Sequence, residues 1–502
     1  MWRTSCSWSC DKDRCSDRIQ TVTLTDRGRA ADRLSMIHLI ILLHIYFVSF
    51  TDKPEKSVPA LSPRAIAQRT QWNIVTDEKD YPVCTLYKDS LRKMGVRIHH
   101  ESRWFNGVTC EMSESLAEEV VRLRFVEGVD RTRDSTNMPQ NAPLKTKGEW
   151  LEAKEMTAPL RTDRQLALYN LHPLHEAGYK GQGILMAVCD GGFYHADTLS
   201  CFRDSLRLGH FDFTDDKDDF FGPTGNHGTC CLSAISGIAE GFQGAATEAR
   251  YYLMRSEEYA TESPKEMDNL VAALEKADSL GVNIFSVSLG YSSFDNPDWT
   301  LPKSSLDGLT TRASAAATIA ARKGMLVCVA AGNEGNKPWQ IISVPADADS
   351  VLTVGAVDTL GMIGDFSSYG PSADGRVKPD VCAVGVRTTL INPLGQIVQS
   401  NGTSFATPLL AGLAACLWSA LPTENAMQIR ERIIRSADRY STPDMQQYGY
   451  GIPDAWVAYT MNPAAGNNIY KEDEQPRKIL RGGQILILHH GQVYNVAGQR
   501  VE

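Results

Sequence analysis

The sequence lacks several features that would assign a class at once. None of its 12 cysteines sits in a CxxC pair, so the spacing that builds small zinc sites is missing. No run of about 18 apolar residues occurs, and no stable membrane span is expected. Positive charge is in deficit. Lys and Arg number 51 against 60 Asp and Glu, for a net charge of −9, whereas a general nucleic-acid binder needs a basic surface. The GxSxG elbow of α/β-hydrolase esterases is absent too.

What is present is an ordinary globular chain of 502 residues, 42% hydrophobic and 22% charged. That length suits two or three folded units with one large core. Cys6, Cys10 and Cys15 lie in a polar, arginine-rich head. Cys84 with Cys110, and Cys201 with Cys230 or Cys231, are candidate disulfide partners that spacing alone does not choose between.

Residues 1–35 show no helical or strand period and read as disordered or as upstream sequence wrongly included. The run "MIHLIILLHIYFVSF" opens at Met36. Residues 36–49 fit the apolar core of a secretory signal, and equally a buried first strand of the next unit. Residues 50–133 read as a small α+β unit. Helical patterns fall in "SPRAIAQRTQW", "TLYKDSLRKMG" and "SLAEEVVRLRF", and strand patterns in "VRIHHES" and "GVTCEMS". A polar linker over 134–162 follows, with the composition of an exposed, cleavable segment.

From 163 to 462, apolar runs alternate with helical stretches. The strand candidates are "GILMAVCD", "ARYYLM", "VNIFSVSLG", "MLVCVAAGN" and "VLTVGAVD". Continuous apolar strands separated by helices predict a mostly parallel sheet covered on both faces. Ligands of such sheets bind beyond the carboxyl ends of the strands, so polar residues there are the ones to weigh. The tail, 463–502, reads as a charged link and a short β-hairpin.

Four such residues supply different parts of one mechanism. Ser404 opens a long small-residue helix, where free N–H groups and the helix dipole favour a developing oxyanion. Pro408, one turn on, cannot bond back to the Ser404 carbonyl. His227, between glycines in "GNHGT", is the candidate base. Asp190 closes "GILMAVCD", where a charge is costly unless paired, and is the candidate orienting carboxylate. Asn333 closes "MLVCVAAGN" and is the candidate second oxyanion donor. Taken singly, each has a structural reading: N-cap, satisfied histidine, turn aspartate, turn asparagine.

"AVCDGG", "NHGT", "AAGNEG" and "NGTSFATP", in the order Asp, His, Asn, Ser, resemble the subtilisin-like serine proteases, or subtilases, over about 163–462. The resemblance implies a three-layer α/β sandwich with a central, mostly parallel sheet. It implies catalysis by Asp190, His227 and Ser404, with Asn333 as oxyanion donor. "SVSLG", residues Ser286, Val287, Ser288, Leu289 and Gly290, resembles the strand that pairs with an extended substrate. Ala331 and Gly332 would form the other wall of the primary specificity pocket. Cys189 departs from the pattern, since an apolar residue more often precedes the aspartate.

Residues 50–133 resemble the prodomain of secreted subtilases, an intramolecular inhibitor and folding template, and the tail resembles the end of a C-terminal sorting domain. The expected partners are protein or peptide substrates and the chain's own prodomain, with no nucleic acid. The expected location is secreted or cell envelope. No cofactor is required. Calcium enters through the family alone, and the acidic run "DFTDDKDDF" at 212–220 lacks the ordered ligand spacing of a known calcium loop. The competing function is a catalytically silent, peptide-binding relative.

Overall fold

The computed structural model describes residues 21–22, 39–40, 42–54, 58–134, 161–214, 219–223, 225–258 and 261–462, and strands 477–481, 484–489 and 492–495. A large unit ends at Tyr459, and a small one occupies Thr460–Glu502. In the head, Thr21–Val22 pairs antiparallel with Leu39–Ile40. The expected linker lies outside the described residues from 135 to 160.

The N-terminal part of the large unit contains β1 (Leu43–Phe50), α1 (Pro63–Gln71), α2 (Thr85–Lys93), β2 (Arg97–Ser102), β3 (Gly107–Ser113), α3 (Glu114–Val120) and β4 (Val126–Arg133). The sheet order is β2-β3-β1-β4, all antiparallel. Ser62 and Ser113 cap α1 and α3, accepting from the N–H groups of Ala65 and Leu116 at 3.1 and 3.2 Å. The expected start at residue 50 is too late. From Leu43 onward the presumed signal segment is a central strand, bonded to β3 on one side and β4 on the other. Tyr46, Val48 and Phe50 fill this unit's own core, while Ile45 and Phe47 on the opposite face are also buried. A strand covered on both faces carries the same continuous apolar run as a signal core, which explains the ambiguity.

The remainder is built on a seven-stranded sheet. Its elements are β5 (Leu185–Asp190), β6 (Arg207–Asp212), α4 (His227–Ser236), β7 (Arg250–Arg255), α5 (Lys265–Leu280), β8 (Ile284–Val287), α6 (Arg312–Arg322), β9 (Leu326–Ala330), β10 (Leu352–Val357), β11 (Val381–Val384) and α7 (Thr403–Ala420). The order is β11-β10-β9-β8-β5-β7-β6, and every pairing is parallel. Side chains alternate between two cores. Met186 and Val188 join the cluster around α4 and α7, and Leu185, Ala187 and Cys189 join the one around α5 and α6. Asp190, next in that alternation, falls on the α4/α7 side. Cys189 is a fully buried thiol on the other side, where a small apolar-like group packs well. Among the described residues one helix, Thr403–Ala420, is long and apolar enough to cross a membrane, but 89% of it is buried inside the protein, as a core helix should be.

The N-terminal sheet meets the seven-stranded part along α5 and α6. Glu275 accepts from Ser102 Oγ at 2.6 Å and from the N–H groups of Arg103 and Trp104 at 2.9 and 3.2 Å. Asp278 receives Arg69 at 2.8 Å and Arg103 at 2.5 Å. Trp104 is buried within the α5/α6 cluster, and the Arg312 guanidinium lies 4.3 Å from the Phe47 ring centre. All nine described cysteines are buried free thiols, so the Cys84–Cys110 and Cys201–Cys230 or Cys201–Cys231 pairings are not formed. The C-terminal unit has three antiparallel strands rather than a hairpin, because Arg477–Arg481, expected to begin in the charged link, pairs with Gln484–His489.

Candidate active site

Asp190, His227, Asn333 and Ser404 come together at the carboxyl edge of the sheet. Asp190 ends β5 and is fully buried. Its carboxylate accepts from His227 Nδ1 at 2.8 and 3.0 Å and from the Gly191 N–H at 2.8 Å, so the charge expected to need partners has them. His227 is the first residue of α4. A Cβ on Gly228 would lie 2.5 Å from the Gly192 carbonyl oxygen and 2.9 Å from the Asp190 Cβ. Only glycine lets the helix start approach the strand end this closely.

Burial lowers the proton affinity of His227, but the Asp190 carboxylate and, after it, Cys231 together raise the imidazole pKa well above the ordinary 6.5. Cys231, one turn along α4, has its Sγ 3.7 Å from His227 Nδ1. Its own burial pushes the thiol up to about 12, so near neutral pH it is a protonated neighbour rather than a second anion. The Phe405 ring packs beside the imidazole, centroids 5.2 Å apart.

Ser404 is the second residue of α7. Because Pro408 has no N–H to return to it, the Ser404 carbonyl is free of the helix. It accepts instead from Ser288 Oγ at 2.8 Å and Cys231 Sγ at 3.4 Å. The residue carrying the candidate nucleophile is thereby tied to the candidate substrate strand and to the helix of the candidate base. Among the described residues no hydrogen bond joins His227 Nε2 to Ser404 Oγ, as is common before substrate tightens such a pair.

Asn333 follows β9. Its Oδ1 accepts from the Thr403 N–H at 2.9 Å and from Thr403 Oγ1 at 3.0 Å. This fixes the amide orientation, and Nδ2 makes no hydrogen bond among the described residues. Sequence reasoning missed Thr403, which also accepts from the Gly332 N–H at 3.2 Å, and Cys231. For both, the available signal was position: immediately before Ser404, and four residues after His227.

The candidate substrate strand needs correction. Ser286 and Val287 lie inside β8, paired with β5 on one side and β9 on the other. Their backbone is taken up by the sheet and cannot pair with a peptide. Ser288, Leu289 and Gly290 extend beyond it. Ala331 and Gly332 follow β9, with the Ala331 N–H still bonded to the Val354 carbonyl at 3.0 Å. Of the other histidines, His210 lies in β6 and His195 in a loop, where its Nδ1 contacts the Pro393 carbonyl at 2.9 Å.

Two groups of ligand-type side chains converge among the described residues: Asp190 with His227 and Cys231, and Glu257 with Glu262 and Glu266. In the first, Nδ1 is engaged by Asp190 and the thiol is protonated. In the second, Glu266 receives the N–H groups of Glu258 and Ser263 at 2.8 and 3.2 Å. In the acidic run, Asp212 pairs with Arg255 and receives the Thr214 N–H at 3.0 Å, while residues 215–218 lie outside the described residues.

The model described as "Subtilase family" matches residues 181–451. That described as "Peptidase S8 propeptide domain, Bacteroidota" matches residues 45–148, beginning inside β1. The chain is similar to Subtilisin DY of Bacillus licheniformis, 30% identical over 282 residues that span 55% of this chain and 90% of that protein. It is similar also to the Thermostable alkaline protease of Halalkalibacterium halodurans, 28% identical over 292 residues, 58% of this chain and 71% of that protein. Among solved structures, MycP1 from Mycobacterium smegmatis superposes with a TM-score of 0.50 at 22% identity, covering 64% of this chain and 91% of its own, a likeness of fold.

Proposed function

Because the chain belongs to the subtilase family and is a serine endopeptidase preceded by a propeptide domain, we propose that its peptidase works through Asp190, His227, Ser404 and Asn333. Ser404 Oγ attacks the scissile carbonyl carbon while His227 Nε2 takes its proton. Asp190 holds the imidazole and stabilises the cation that forms. The oxyanion is met by the Ser404 N–H and Asn333 Nδ2. The C–N bond then breaks, the imidazolium returns its proton to the leaving amine, and water hydrolyses the acyl-enzyme by the reverse proton path. No cofactor takes part.

The observation that carries this reading is the short Asp190–His227 pair at the start of α4, beside a serine at the start of α7 whose neighbour Thr403 orients Asn333. The finer parts of the proposal follow from it. The substrate is an extended protein or peptide lying along Ser288–Gly290. The N-terminal unit inhibits until the segment after β4 is cut. The product acts outside the cytoplasm, as a precursor with such a unit suits a secreted or cell-envelope protease.

The test is covalent labelling with a fluorophosphonate of chain cut after β4 by an added protease that is then removed, followed by mass spectrometry. A single adduct on Ser404, lost in His227→Ala, is expected. No adduct, with no peptide hydrolysis in the processed sample, would leave the silent, peptide-binding reading.

A further inference from the structure

We infer that the amino-terminal edge of the central sheet carries a docking site for a basic helix followed by a tryptophan, and that residues 59–81 occupy it as an anchor, which keeps the N-terminal unit in place after the chain is cut behind β4. These contacts lie at the edge opposite the proposed catalytic residues and do not depend on their assignment.

The anchor is an excursion from the N-terminal sheet. β1 ends at Phe50 and α2 begins at Thr85. Between them the chain builds α1 and a short turn of helix, Glu78–Asp80, and residues 59–81 contribute nothing to that unit's own core. Their polar groups go instead to the turns that lead into three neighbouring strands. Arg64 donates to the Gly183 and Gly281 carbonyls at 3.3 and 3.0 Å and to Asn283 Oδ1, just ahead of β5 and β8. Gln68 reaches the Gly324 carbonyl at 3.5 Å, ahead of β9. Asn283 itself joins these strands, since its Oδ1 accepts from the Leu185 N–H at 3.0 Å and its carbonyl from the Leu326 N–H at 2.8 Å. Asp190 stands at the far end of β5, about 16 Å from Leu185 at the rise of a parallel strand. The anchor thus grips the sheet without entering the cleft.

Charge holds one side of the anchor and apolar surface the other. Arg69, 4% exposed, pairs with Asp80 and Asp278 at 2.8 Å each. Lys323, just past α6, pairs with Asp77 and Asp80 at 2.7 and 2.8 Å. An added Cβ on Gly281 would lie 2.7 Å from the Ala65 nitrogen, so glycine is what lets α1 settle this closely. Beyond α1, the Trp72 ring lies 5.6 Å from that of Trp418, centre to centre, and packs against the α4/α7 core. Gln71 reaches the Pro422 carbonyl at 3.3 Å. Trp104 of the same unit enters the α5/α6 core. The N-terminal unit therefore grasps both faces of the sheet, with the anchor wrapped round the edge between them. A cut behind β4 breaks none of these contacts.

The test uses Ser404→Ala chain, cut after β4 by an added protease that is then removed. The two pieces should elute together in size exclusion. Hydrogen exchange should show α1 opening no sooner than β2 and β4. Adding Arg69→Ala and Trp72→Ala should speed separation by roughly 30-fold or more, the scale for truncating one member of a buried charge pair. Pieces that part at once without these substitutions, a rate unmoved by them, or an α1 that exchanges freely while β2 and β4 stay protected would each overturn the inference. If the double substitution does not fold, the exchange order and Arg64→Ala, at an exposed position of α1, decide alone, with faster separation expected and an unmoved rate overturning the anchor. Separation is not read through activity, so failure of Ser404 to label would overturn the catalytic proposal and leave this result standing.

Discussion

The helices on the two faces of the central sheet differ in kind. On one face, all ten residues of α4 are buried, as is α7 from Thr403 to Trp418. On the other, α5 and α6 bury apolar residues toward the sheet and turn Glu275, Asp278 and Arg312 toward the N-terminal unit, with Asp268 paired to Arg312. A helix buried all round can meet a ligand only at its ends, and His227 and Ser404 are the first and second residues of theirs. A helix with a polar side can dock a partner along its length. The difference teaches that the proposed chemistry and the docking of the N-terminal unit use separate faces, the first at helix ends and the second on helix sides.

Four substitutions or titrations would break or sharpen that contrast. The largest effect is expected from Ser404→Ala. Turnover should fall by about 10⁶, the scale of the serine's loss in subtilisin. The Tm should stay near wild type, because the Ser404 hydroxyl caps no N–H among the described residues. Near wild-type turnover would remove Ser404 from the mechanism. Next, Asn333→Ala should lower turnover by about 10²–10³, again the subtilisin scale, with KM nearly unchanged. A raised KM with intact turnover would make Asn333 a ground-state contact.

On the other face, Asp278→Ala removes the carboxylate shared by Arg69 and Arg103. Truncating one member of a buried charged pair should weaken retention of the N-terminal unit by roughly 30-fold or more. This is measured as the inhibition remaining in self-processed enzyme diluted serially before assay. Turnover of the freed enzyme should not change, and a large loss of turnover would mean the faces are not independent.

The smallest effect is graded by pH. His227 must be neutral to accept the serine proton, and its pKa is raised above 6.5. Activity should therefore fall as pH drops through that raised value, about tenfold per unit below it. Stability from the same pair runs the other way. It is fully present below the unfolded value of 6.5 and is lost as pH rises through the folded one. A kcat/KM flat from about pH 5 to 9 would exclude His227 as base.

Much of this was legible in the sequence, for identifiable reasons. β5, β7, β8, β9 and β10 are covered on both faces, so each wrote itself as a continuous apolar run. β6 has one neighbour in the sheet and partly exposed residues, so "RLGHFD" carried no such mark. Asp190, His227, Asn333 and Ser404 were readable because each breaks an apolar or small-residue pattern at its end. Cys231, Thr403 and Phe405 were not, since their significance lies in contacts between segments far apart in the chain. The split of "SVSLG" into paired Ser286–Val287 and free Ser288–Gly290 was also hidden. Sheet and cleft demand the same residues there, and only the pairing register tells them apart.

Pro408 sets the protease's tolerance for being made more robust. A proline inside a helix costs about 3 kcal/mol or more, so Pro408→Ala is the substitution a search for thermostability would select first. The restored N–H would bond the Ser404 carbonyl and compete with Ser288 and Cys231 for it. The helix would gain a rung while Ser404 lost its ties to Ser288 and Cys231. Selection for heat resistance and selection for turnover would then act in opposite directions on one residue, which makes position 408 a place where this enzyme trades durability for speed.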